Sequence, residues 1–197
     1  MEEHESLNDA DAEGYLDGKL LIAMPGLEGS YFARSVIFMC AHSEAGAMGI
    51  VVNKPAPELD FSDLLGQLNI PASAEADAIQ VHLGGPVEHG RGFVLHSSEY
   101  EIEDSTLHVG REFCMTATLD ILRDIAKGSG PESRLLALGY AGWGPGQLEK
   151  ELQENGWLVC DAERDVVFEQ TDDAKWEAAL TSMGVTAGLL SGEGGLA

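Results

Sequence analysis

Basic side chains are scarce in this chain: 11 lysines and arginines stand against 34 aspartates and glutamates, leaving a formal charge of −23 over 197 residues. A field of that sign raises solubility and opposes contact with phosphate backbones and anionic membrane surfaces, so direct nucleic-acid binding is not expected. Long apolar runs are missing as well. None approaches the ~20 residues that cross a bilayer, and the N-terminus lacks the basic-then-apolar order of a secretory signal, which makes the cytoplasm the expected compartment. Cysteine is rare, and Cys40, Cys114 and Cys160 form no Cys-x-x-Cys pair. Each stands in an apolar, strand-like run, a setting that fits reduced, buried thiols and excludes a disulfide framework.

Familiar catalytic signatures are also absent. His42, His82, His89, His96 and His108 show no i, i+4 pair and no Cys/His spacing of a zinc site, so no metal and no cofactor is expected. No Gly-x-Ser-x-Gly elbow presents a nucleophile. Gly84-Gly85-Pro86-Val87 lacks the Gly-Lys-Ser/Thr ending of a phosphate loop, and Pro86 removes an amide, so a tight β-connection is its expected role.

What is present is organised for one domain. Residues 1–17 carry seven acids with no lysine or arginine and read as a disordered acidic tail; residues 18–190 read as the globular domain, and the Gly-rich residues 191–197 as a flexible end. Apolar runs predict strands at Lys19 to Met24, Val36 to Ala41 and Met48 to Val52, the last two forming a hairpin across Ser43 to Gly46. In a regular register His42 faces Ala47 and Val36 faces Asn53, with the two ends roughly 20 Å apart. Ile79 to Leu83 and Gly92 to His96 read as a second strand pair, followed by weak strands at Leu107 to Val109 and Phe113 to Met115. Phe61, Leu64, Leu65 and Leu68 fall on one helical stripe, and Thr118 is expected to cap a helix that Gly128 ends. Leu135 to Leu138 predicts a strand running into a tight loop, Gly139-Tyr140-Ala141-Gly142-Trp143-Gly144-Pro145-Gly146, and then a helix. Late strands are expected at Trp157 to Cys160 and Val166 to Phe168, with a last helix through Trp176, Ala179, Leu180 and Met183. Hairpins before and between helices predict an α+β fold, a mixed, antiparallel-rich sheet with helices packed around it.

Polar and aromatic residues at the ends of apolar strands, beside Gly-rich loops, are the candidate ligand-binding set: Arg34, Asn53, Arg91, His96, Trp143 and Gln147, with His42 as a secondary candidate. This points first to a non-enzymatic binding or regulatory module for a small ligand or a protein partner. The alternative is a hydrolase or transferase on a small anionic substrate, with His42 or His96 as general base and an arginine as clamp.

A set of motifs in fixed order gives a further pointer. Leu21-Ile22-Ala23-Met24-Pro25-Gly26-Leu27, Arg34-Ser35-Val36-Ile37, His42, the run Gly46 to Pro55, Gly84-Gly85-Pro86-Val87, Arg91 to His96, Asp120-Ile121-Leu122, Gly139 to Trp143 and Gln147-Leu148-Glu149-x-Glu151-Leu152 together resemble the YqgE/AlgH family of bacterial proteins, over about Gly18 to Leu190. The resemblance implies a cytosolic α+β domain. Some members carry a transcriptional-regulator label through an association with alginate production, and the family supplies no established catalytic residues. A chain of charge −23 without a basic recognition helix fits such a label only through an indirect route, by way of a partner or ligand.

Overall fold

Alternation at period two sorts the apolar residues onto two faces of one sheet. In the computed structural model, which describes residues 14–74 and 79–190, ten strands form a curled, mostly antiparallel sheet: β1 (Lys19–Ala23), β2 (Val36–Ser43), β3 (Gly46–Val51), β4 (Pro55–Asp60), β5 (Gln80–Leu83), β6 (Val87–Ser97), β7 (Thr106–Val109), β8 (Phe113–Thr116), β9 (Arg134–Trp143) and β10 (Trp157–Asp161). The main order is β10-β1-β2-β3-β9-β6-β8-β7, and β4 and β5 branch from β9. Leu20, Ile22, Val36, Phe38, Ile50, Phe93, Leu95 and Ala137 face inward and share one buried cluster. Their neighbours Leu21, Ile37 and Val51 face outward into a second, and Val94 and Leu136 into a third.

Among the described residues four α-helices cover these faces. Phe61 and Leu65 of α1 (Phe61–Gln67) and Ile121, Leu122 and Ile125 of α2 (Leu119–Ala126) close the outer face behind β6 and β9. Leu148 of α3 (Gln147–Gln153) closes the outer face behind β1 to β3. Inside the curl, Trp176, Ala179 and Leu180 of α4 (Asp172–Ser182) pack on the concave face. The expected α+β architecture is therefore the observed one. Residues 1–13 of the expected acidic tail and the whole expected C-terminal tail lie outside the described residues; Leu16 and Asp17 already bond to His42.

Several local expectations are corrected. Met39 pairs with Gly49 and Ala41 with Met48, so Cys40 is an extra residue, a bulge that brings Val36 opposite Val52 instead of Asn53. Strands β5 and β6 do not pair with each other; β9 lies between them, parallel to β5 and antiparallel to β6. The glycine-rich segment through Trp143 is not a loop, because β9 continues to Trp143 and pairs there with Ala47 to Gly49. Val166 to Phe168 belong to one wide helical turn, closed by the Gln170 amide on the Asp165 carbonyl at 3.0 Å, since burying Val166 and Val167 under the sheet outweighs their β preference. Thr118 holds the N-cap position of α2, yet its hydroxyl makes no cap bond.

Candidate functional site

The concave face is filled by α4 at one end and left open at the other. The open mouth is a cleft of about 650 Å³ between β2, β3, β6, β8 and β9. It exists because the inward positions there are small: Ala41, Gly46, Ala117 and Gly142, with Met48, Phe93, Met115 and Tyr140 as apolar walls. The Cys40 bulge helps to make it, since it turns Ala41 and Ser43 toward the mouth and His42 toward the outer face. Among the described residues Arg91 is the one charged residue of the lining. Its guanidinium lies 5.1 Å from the Phe93 ring centroid and 3.5 Å from the Glu88 carboxylate, in an exposed pair.

The sequence-derived candidates do not gather in one place. Arg34 and Asn53 meet at the far end of the hairpin, where Asn53 accepts from the Val36 amide and donates to the Arg34 carbonyl, each at 2.9 Å. Arg34 has a φ of 54° and stacks 4.3 Å above Trp176, so this pair ties the hairpin to α4. His96 is fully buried, with Nδ1 on the Ser97 carbonyl at 3.0 Å and Nε2 on the Thr116 hydroxyl at 2.8 Å. Burial holds its pKa below the ordinary histidine range. Trp143 and Gln147 meet at Glu151: the carboxylate accepts from the Trp143 indole at 2.7 Å, from the Trp157 indole at 3.0 Å and from Gln147 at 3.3 Å. The Trp143 ring thus packs on the outer face beside Trp157, and only the edge of this residue reaches the mouth. Arg91 alone keeps a side-chain charge at the cleft.

His42 is buried at the closed end of the hairpin. Its Nδ1 accepts from the Leu16 amide at 3.2 Å, which leaves the ring proton on Nε2 to donate to Glu149 at 2.7 Å. Both nitrogens are committed to structure. Hydrogen bonding, from its own backbone amide and from His42, holds the Glu149 carboxyl below the ordinary glutamate range. Cys40 and Cys114 are buried and free, and burial pushes the Cys40 thiol up to about 12, far from a reactive thiolate.

A second cleft, of about 370 Å³, has no counterpart among the sequence-derived candidates. Its wall holds His82, Asp172 and Lys175. His82 donates from Nε2 to both Asp172 oxygens at 3.0 and 3.1 Å, and its buried Nδ1 has no partner among the described residues. Lys175, 3 % exposed, donates to the Val52 carbonyl at 2.7 Å and to Asp172 at 3.1 Å. Burial lowers the Lys175 pKa, with Asp172 partly offsetting it. Burial also works against the Asp172 carboxylate, but the His82 bond and the Lys175 charge outweigh it and hold that pKa low. Ninety residues separate His82 from Asp172, and no local pattern announces their contact. Tyr140 was within reach of sequence reasoning: once β9 extends to Trp143, period two places Tyr140 and Gly142 on the face opposite Trp143. Among the described residues no group of three or more His, Cys, Asp or Glu side chains is placed to hold a metal ion, and no helix is long and apolar enough to cross a membrane.

Comparison with known proteins gives one consistent family. A family model described as AlgH-like matches residues 20–188. A UPF0301 protein of Ruegeria pomeroyi is 59% identical over 181 residues, covering 91% of this chain and 98% of the relative. A second, from Rhodopseudomonas palustris, is 53% identical over 201 residues, covering 98% and 94%. The solution structure of the AlgH protein from Pseudomonas aeruginosa superposes with a TM-score of 0.77 at 41% identity, covering 94% of this chain and 98% of that one.

Proposed function

The chain belongs to the AlgH-like family, and we propose that it acts there as a non-enzymatic, cytoplasmic binding module, taking a small ligand or a protein segment into the open mouth of its concave face. The observation that carries this reading is the vacant end of an otherwise filled curl. Its walls are apolar, its volume lies in the roughly 300–1,000 Å³ range of ligand pockets, and one arginine stands at its edge. Methionines at 48 and 115 suit such a surface because their side chains adapt to an irregular guest. Any influence on gene expression then runs through that guest, since a charge of −23 opposes direct contact with DNA.

A thermal-shift screen of metabolites and short peptides, run on the wild type and on Ala41→Phe, tests the reading. Ala41 is an exposed residue of the lining, so phenylalanine there fills the mouth without entering the core. A guest that raises the melting point of the wild type and not of Ala41→Phe supports the proposal. Guests that stabilise both proteins equally bind elsewhere and refute it.

The second reading, an enzyme for a small substrate, draws on His82. His82 has a carboxylate orienter and one uncommitted nitrogen, whereas His42 and His96 have both nitrogens engaged; since that nitrogen, Nδ1, is buried, the reading also requires a local opening that exposes it to a substrate. Turnover of any substrate that survives in His82→Ala removes this reading.

A further inference from the structure

We infer that the guest of the mouth is a small anion with an apolar body, an amphiphile whose ring or chain lies on Met48, Met115, Phe93 and Tyr140 and whose single acidic group meets Arg91. This rests on the binding reading above and adds the chemistry of the ligand.

The first argument is charge. Among the described residues of the lining Arg91 is the sole ionised side chain, in a protein whose overall field repels anions. A guanidinium beside an apolar wall offers a paired, directional contact to a carboxylate, sulfonate or phosphate, which a general negative field does not supply. The second argument is availability. Glu88, the partner of Arg91, sits at 3.5 Å with both side chains more than half exposed, a contact that a better-placed anion displaces at little cost. Arg91 is also held in place without Glu88, by stacking on Phe93 at 5.1 Å. The third argument is the match between the two parts of the site: the rest of the lining is apolar apart from Ser43 and Tyr140, so it takes an uncharged body and leaves one position for a negative group.

Two dyes with the same body isolate the anionic group. Anilinonaphthalene sulfonate carries one sulfonate, and N-phenyl-1-naphthylamine lacks it; both fluoresce on leaving water. Near-UV circular dichroism confirms that each protein is native, because the sulfonate dye also marks loosened folds. In the wild type the sulfonate dye is expected to bind about tenfold more tightly than the neutral one. Arg91→Gln is expected to weaken the sulfonate dye about tenfold and to leave the neutral dye within about twofold, while Glu88→Gln strengthens the sulfonate dye about two- to threefold. Ala41→Phe is expected to exclude both, with Ala117→Phe as a second filling variant should the first not fold.

If both dyes are excluded by the filling variants and Arg91→Gln changes neither, the anionic preference is wrong and the binding site stands. If neither dye binds the wild type, or both ignore the filling variants, the binding reading fails and this inference fails with it.

Discussion

Asp172→Asn is the perturbation that most directly tests how α4 is anchored inside the curl. The change keeps the side-chain shape and removes a charge that serves two buried donors, Lys175 Nζ at 3.1 Å and His82 Nε2 at 3.0 Å. An asparagine oxygen can still accept from Lys175 while its amide turns His82 Nε2 into an acceptor, but the buried ammonium then has two neutral acceptors, this one and the Val52 carbonyl, and no counter-charge. Breaking a buried pair from one side costs about 3–5 kcal/mol. Since the Asp172 side chain is 21% exposed and water relieves part of the loss, about 3 kcal/mol is the expected figure. For a domain of this length that lowers Tm by roughly 6–12 °C. Lys175→Met removes the charge that needs compensating, so the double variant should recover about 2 kcal/mol relative to Asp172→Asn. The pH dependence has a definite sign. The folded Asp172 pKa lies below its unfolded value, so its contribution is present above the unfolded pKa and is lost as pH falls through the folded one; acid should destabilise the wild type more steeply than Asp172→Asn. The lowered Lys175 pKa acts at the other limit, and stability rises as pH climbs toward the ordinary lysine range. Thermal and urea unfolding by circular dichroism measures all of this. A cost below about 1 kcal/mol for Asp172→Asn, or strict additivity in the double variant, would refute a coupled buried pair.

Two further outcomes are expected from packing. Gly85→Ala places a methyl on the Tyr140 backbone, where no flexible side chain can yield, and should cost about 4 kcal/mol or more; Gly90→Ala, which meets open space, should stay within about 1 kcal/mol in the same urea titration. Glu151→Leu strands the indole N–H groups of Trp143 and Trp157 together, so a loss of about 3 kcal/mol and a changed tryptophan emission are expected. Unchanged emission would mean that neither indole depends on Glu151.

Much of the fold is legible in the chain because its evidence is local. The runs at Val36 to Ala41 and Met48 to Val52 are too apolar for anything but a strand covered on both faces, and the Phe61 to Leu68 stripe allows little except a helix. What was not legible depends on partners far away in sequence. Nothing in Val166-Val167-Phe168 says that their burial comes from one helical turn under the sheet. The bulge at Cys40 is set by how β2 must bend to follow the curl, and a regular register is the only one a pair of apolar runs can suggest. The candidate site followed the same rule. Arg91 stands out in the sequence by its position beside an apolar strand, whereas the cleft walls Met48 and Met115 look there like any other core residue. Ligand chemistry and core packing use the same residue types, and only the assembled sheet separates them.

The segment Gly139 to Glu149 shows how that separation works. Its glycines suggested a loop open to a ligand. Instead Gly139, at φ 75°, lets β9 change partners in mid-strand: its first half runs between β5 and β6, and its last three residues pair with β3. A side chain at Gly84 or Gly139 would strike backbone across this seam, which is why glycine stands on both sides of it. The change of partner fixes which residues face the mouth, sending Tyr140 and Gly142 inward and Trp143 outward to Glu151. Several motifs that carry the family resemblance, Gly46 to Pro55, Gly84 to Val87 and Gly139 to Trp143, thus contribute the seam and the frame of the cleft. They specify a shape more strongly than a reaction. Family membership therefore carries the curled sheet, and on the binding reading proposed above the chemistry of this chain's open end turns on one side chain, Arg91, placed where the small inward residues leave room.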